Sequence, residues 1–168
     1  TASSAKRASS RAVVVRRGDF LRLERLAEPG NVQSEWDIAR QCAPDYAGTM
    51  AGLARGALEG RSGPQRVLLL GLGGGTIAAD LLCGGGRSDW RIDVTAVESD
   101  EDVAAAAGRH FFPIMFEGQP TSIREQLRVV RGDATKLVGA SDALAGDPYD
   151  VIIEDFAYES PGLLDAAF

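Results

Sequence analysis

An apolar run, Val67-Leu68-Leu69-Leu70, stops on Gly71-Leu72-Gly73-Gly74-Gly75-Thr76 and leads into a helix-like segment, and this stretch constrains the chain more than any other. Glycine opens backbone angles closed to other residues and lets a ligand approach with no Cβ in the way. A helix that starts just after the turn offers free N–H groups to a polar ligand. The stretch reads as a nucleotide-cradling turn; the competing explanation is a tight strand-to-helix turn with no ligand.

The order of the later segments favours the cradle. A second apolar segment, Ile92 to Val97, ends on Glu98, about two dozen residues on, where a doubly wound α/β domain places an acid for a ribose. A third, Leu127 to Val130, runs into Gly132-Asp133-Ala134, and a fourth, Val151-Ile152-Ile153, ends on Glu154-Asp155. Any one of these acids could be a solvated loop charge. Together they put polar residues at the carboxyl ends of successive strands, where open parallel sheets bind ligands.

Helix signals separate the strands. Thr76 to Cys83 reads as a helix stopped by Gly84-Gly85-Gly86. Asp100-Glu101-Asp102 followed by Val103 and an alanine run reads as another, with carboxylates at the positive helix end. Asp133 to Val138 reads as a shorter one. The alternation predicts an α/β fold with a parallel sheet and right-handed crossovers.

Ahead of the glycine strand, Ala12 to Val15 and Phe20 to Leu26 flank a turn at Gly18-Asp19, which predicts a hairpin within residues 12–35, closed by Glu28-Pro29-Gly30-Asn31. From Asp45 to Leu58 the spacing of Tyr46, Met50, Leu53, Ala54, Ala57 and Leu58 predicts an amphipathic helix that opens the larger unit, residues 36–168. Residues 1–11, rich in Ser, Ala and Arg, read as a basic tail or the remnant of an organelle-targeting leader.

Charge and composition narrow the function classes. Of 18 basic residues, five lie in residues 1–17, which leaves 13 against 24 acids from position 18 onward and argues against a general nucleic-acid surface. No apolar run approaches the roughly 20 residues that span a bilayer, so the chain reads as soluble or peripheral. Cys42 and Cys83 form no CxxC pair and read as small apolar residues in a reducing compartment. The lone His110 reads as a packing or helix-end residue, and no metal cluster is evident.

Gln33-Ser34, the helix from Tyr46 to Met50, Val67 to Thr76, Val97-Glu98, Gly132-Asp133-Ala134 and Tyr149 to Asp155 together resemble the spermidine synthase family within the S-adenosylmethionine-dependent methyltransferase superfamily. The resemblance covers roughly residues 12–158. It implies a Rossmann-like methyltransferase fold preceded by a small β unit that helps dimers assemble. It also implies S-adenosylmethionine or its decarboxylated form as the bound substrate. On that resemblance Gly71, Gly73 and Gly75 face the amino-acid or propylamine end and Glu98 the ribose, while Asp133 and Ala134 lie beside the adenine. Asp155 and Tyr46 are then the catalytic candidates, Gln33 lines the pocket, and the acceptor is a small molecule such as a polyamine. The family continues for several strands beyond Asp155, so the parallel sheet is expected to be incomplete, either because the chain is a fragment or because a partner covers the edge.

Departures from the family pattern define the alternatives. The glycine loop has Gly74 where the family usually carries Asp, Ala47 replaces a usual His after Tyr46, and Tyr158 with Glu159 stands where a second Asp is usual. The acid that many methyltransferases place two residues before the first glycine is Leu69 here. A lost charged hydrogen bond in a buried site costs on the order of 1.5–3 kcal/mol, about ten- to a hundredfold in affinity. Three readings stand: a spermidine synthase-like transferase; a catalytically silent scaffold subunit of a larger, organellar complex; and an NAD-binding oxidoreductase, since Gly73 to Ala78 also fits G-x-G-x-x-A.

Overall fold

The protein is seen in a computed structural model that describes residues 12–26, 28–84, 91–140, 144 and 148–155. The basic 1–11 stretch, Gly85, Gly86, Tyr158 and Glu159 lie outside the described residues. The central strand, β4 (Gln65–Leu70), is apolar at consecutive positions because both its faces are covered, as in parallel sheets. Its Val67 and Leu69 enter a large core, and its Leu68 and Leu70 enter a smaller one on the other face. β5 (Ile92–Glu98) and β7 (Val151–Glu154) flank it in parallel, and β6 (Leu127–Arg131) pairs outside β5, giving the order β6-β5-β4-β7. Among the described residues β6 and β7 are the outer strands, and Ile152 on β7 is 61% exposed. All four carboxyl ends therefore lie along one edge, as their sequence endings predict.

The amino-terminal unit is larger than the expected hairpin. β1 (Ala12–Arg17) and β2 (Phe20–Arg25) pair around the Gly18 turn, and β3 (Glu28–Asp37) adds a third antiparallel strand. Glu28 to Asn31, expected as a closing turn, belongs to β3. The register shifts beside Glu24, Gly30 sits at φ +89°, and its N–H donates to Glu24 Oε2 at 3.2 Å, so the Pro-Gly pair is absorbed as an irregularity of an outer strand. Leu21, Leu23 and Trp36 of this sheet are buried in the same core as β4 and β5, so the two sheets share one interior.

Helix α1 (Asp45–Leu58) has the predicted span and buries Ala54 and Leu58 of the predicted apolar set, but its inner face is completed by Ala47 and Ala51 rather than by Tyr46 and Leu53. Ala47, Ala51, Ala54 and Leu58 are buried, while Tyr46 and Leu53 are 54% and 71% exposed. Small residues on the inner face let α1 lie close to α2 (Thr76–Cys83), and Tyr46 stays open to solvent.

The alanine-rich helix begins as α3 (Glu101–Ala106), with Asp100 Oδ1 accepting the N–H groups of Asp102 and Val103. It then passes through a π-helical turn, Ala107–Phe111, into α4 (Phe112–Met115). Two adjacent aromatic residues at the end of this turn, Phe111 and Phe112, pack against the glycine loop. α5 (Thr121–Glu125) and α6 (Ala134–Ala140) complete the described helices, and none is long and apolar enough to cross a membrane.

Candidate functional site at the strand tips

Backbone hydrogen bonds fasten the strand tips to one another. Asp155 N–H donates to Leu70 O at 2.7 Å, Gly71 N–H to Val97 O at 3.0 Å and Gly132 N–H to Glu98 O at 2.9 Å. The predicted groups at the ends of β7, β4, β5 and β6 are thus neighbours along one rim. The glycine bend and Glu98 are on the same side of the molecule.

Glu98 is the electrostatic centre of the bend. Its Oε2 accepts the N–H groups of Leu72 at 3.3 Å and Gly73 at 3.1 Å, and its Oε1 accepts that of Asp100 at 2.8 Å. The carboxylate ties β5 to the loop and stays partly open to solvent.

The glycines are explained in part by protein neighbours. Gly75 caps α2 at φ +82°, and a Cβ there would come within 2.6 Å of Phe112. A Cβ on Gly74 would lie 2.9 Å from Phe111, and one on Gly73 would lie 2.5 Å from Ser34 Oγ. Ser34 of β3 also accepts the Gly74 N–H at 2.8 Å, a buried bond between the two sheets. In the sequence Ser34 stands out only as the neighbour of Gln33; its contact arises from packing between distant segments.

Tyr46 and Asp155 meet. The Tyr46 hydroxyl donates a hydrogen bond to the Asp155 carboxylate. Burial raises the Asp155 carboxyl above its ordinary range, and the Tyr46 bond partly offsets this. Burial, the Asp155 charge and the same bond push the Tyr46 phenol up. A carboxylate with raised proton affinity and an orienting phenol can accept a proton from a bound amine.

Tyr46 also lines a hollow of about 290 Å³ with Gln33, Ser34 and Thr76, with Arg22 and Glu35 ion-paired on its wall; Asp155, Glu98 and the loop glycines do not line it. Gln33 Nε2 donates to Asn31 Oδ1 at 3.4 Å. A wider groove of about 450 Å³ lies between β1 and α3, beside His110, and contains none of the candidate side chains.

Asp133 and Ala134 stand next to Glu98 but are engaged locally. Asp133 Oδ1 accepts Thr135 Oγ1–H at 2.6 Å and Thr135 N–H at 3.1 Å, and Lys136 lies 3.5 Å from Oδ2. The Thr135 bonds chiefly, with Lys136, hold the Asp133 carboxyl below its usual range. Ala134 packs on the smaller core with Leu70 and Val97.

No protein-family model and no curated protein matches the chain. Among solved structures it is similar to a probable spermidine synthase from Corynebacterium glutamicum, at TM-score 0.63 and 17% identity over 89% of this chain. The chain spans 50% of that structure's length. Two structures of the glycopeptide N-methyltransferase MtfA, complexed with sinefungin and with (S)-adenosyl-L-methionine, are similar at TM-scores of 0.44 and 0.39. Their identities are 26% and 27%, over 67% and 55% of this chain and 37% and 36% of theirs. The likeness is one of fold: a parallel sheet of the Rossmann-like methyltransferase type behind a small antiparallel sheet.

Proposed function

We propose that this chain carries the ligand-binding part of a transferase that uses S-adenosylmethionine or its decarboxylated form and passes a methyl or aminopropyl group to a small amine. The observation that carries this reading is the Tyr46–Asp155 pair, in which Tyr46 lines the hollow and Asp155 stands on the rim that also bears Glu98. An adenosyl sulfonium supplies an electrophilic carbon and a thioether that leaves neutral.

The protein's part is alignment and one proton. Glu98 accepts the ribose hydroxyls, and Gly71, Gly73 and Gly75 give the turn that brings the ligand's amino end past the loop. Asp133 and Ala134 border the adenine side, next to Glu98 through the Gly132 bond. Asp155 takes the proton of the attacking amine, Tyr46 orients its carboxylate, and Gln33 and Thr76 line the acceptor hollow. The Glu98 carboxylate against the Leu72 and Gly73 N–H groups favours a cationic sulfonium over the pyrophosphate of NAD, which would meet a like charge.

The close packing of Ser34, Phe111 and Phe112 on the glycines favours a second reading, a scaffold subunit without catalysis. Calorimetry with S-adenosylmethionine, its decarboxylated form, methylthioadenosine and NAD separates the readings. Binding of an adenosyl sulfonium that weakens at least tenfold in Glu98→Ala supports the transferase. Binding of none favours the scaffold, and binding of NAD alone favours an oxidoreductase. A polyamine acceptor such as putrescine is tested by its binding in the presence of the adenosyl ligand.

A further inference from the structure

We infer that Arg55 and Asp80 form a positioning pair that sets Tyr46 against Asp155 by holding helix α1 at two points. The inference rests on reading Tyr46 and Asp155 as the reacting pair.

Asp80 lies on α2 and is 5% exposed. Its Oδ2 accepts the N–H of buried Ala43 at 2.9 Å, three residues before Tyr46. Its Oδ1 accepts from Arg55 Nη1 at 2.9 Å, and the same nitrogen donates to the Asp80 backbone oxygen at 2.7 Å. Arg55 is on α1 itself, in its last turn. One buried carboxylate therefore grips the chain just ahead of α1 and the far end of the same helix.

The segment between Ala43 and Tyr46 transmits that grip. Pro44 is extended, Asp45 is held at φ +53°, and a Cβ on Gly48 would come within 2.4 Å of Ala43 O. The turn is packed directly on the first turn of α1, which leaves Tyr46 little freedom to shift along or around the helix axis. Buried ion pairs add little net stability compared with well-packed apolar residues of similar volume. A pair joined to both ends of the helix that bears Tyr46 instead fixes its position, and with it the meeting of phenol and carboxylate.

The test is a spectrophotometric titration of the Tyr46 phenol in the whole chain, isolated by subtracting a Tyr46→Phe variant, and it needs no ligand. In Asp80→Ala and Arg55→Met the midpoint is expected to fall from its wild-type position toward the free tyrosine value of about 10. Asp80→Asn keeps an oxygen for Ala43 N–H and should move it less. A wild-type midpoint in either folded Asp80→Ala or folded Arg55→Met overturns the inference. So does failure of all three variants to fold, since the pair would then serve the core. Calorimetry with S-adenosylmethionine on the unaltered chain tests the transferase reading separately: a titration that moves without any binding supports the positioning pair and leaves the scaffold reading.

Discussion

The Tyr46 hydroxyl hydrogen-bonds the Asp155 carboxylate, joining the first turn of α1 to the tip of β7. Replacing Asp155 by Asn removes the negative charge beside the phenol, one of the causes that raise it, and leaves burial. The Tyr46 midpoint is expected to fall in Asp155→Asn, read by ultraviolet absorbance. An unchanged midpoint would mean that the two groups do not interact in solution.

The raised Asp155 carboxyl also sets the sign of a stability effect. A carboxyl with a raised folded-state value contributes stability that is complete below the unfolded value near 3.9 and lost as pH rises through the folded value. Asp155→Asn does not titrate, so its stability relative to the native chain should improve between acid and neutral pH. Urea unfolding at a series of pH values measures the difference; a constant gap between the two proteins would contradict it.

At the glycine loop, Gly75→Ala imposes a side chain at φ +82° and drives a Cβ against Phe112. Left-handed strain of about 1–2 kcal/mol and overpacking of about 1–3 kcal/mol predict a loss of roughly 2–5 kcal/mol in denaturant unfolding. Ser34→Ala leaves the Gly74 N–H without its partner and should cost about 1–3 kcal/mol. A neutral effect of Ser34→Ala would show that water replaces the hydroxyl.

Asp133 invites a separation of structural and ligand roles. Asp133→Ala removes the Thr135 bonds and should cost about 1 kcal/mol. Because its carboxyl is held low, that contribution is present above the ordinary carboxyl range and fades as pH falls through the folded value. Asp133→Asn keeps a cap of similar quality. If the carboxylate serves an adenosyl ligand, calorimetry should show weaker binding in Asp133→Asn at unchanged stability.

The thiols supply a further check. Burial first, then Asp80, pushes Cys83 up to about 11, and burial with Asp37 and Asp80 raises Cys42. At about pH 8 roughly one Cys83 thiol in a thousand is ionised, so aromatic disulfide reagents should label it very slowly in the native state and readily in urea. Asp80→Asn removes one negative charge and should speed the native reaction. Fast native labelling of Cys83 would show that it is not shielded.

The strands of the parallel sheet and the span of α1 were legible because consecutive apolar residues, flanking glycines and first-turn acids report local preference directly. The rim position of Glu98 and Asp155 came from parallel connectivity alone. β3 was hidden because Pro29-Gly30 carries a strong turn signal that an irregular outer strand can accommodate. On α1 the spacing finds Ala54 and Leu58 on the inner face but not Ala47 and Ala51, whose small side chains carry little apolar signal, and it includes Tyr46 and Leu53, which are exposed. Neither the π-helical turn under Phe111 nor the Ser34 bond to Gly74 has a local signature, since each depends on a surface supplied by a remote segment.

That Ser34 bond has an engineering corollary. A hydroxyl from the first sheet completes the hydrogen bonding of a bend in the second, so the two cannot be grafted as independent modules. A chimaera that imports a foreign amino-terminal sheet must also bring a small acceptor at the Ser34 position, or the bend inherits a stranded amide.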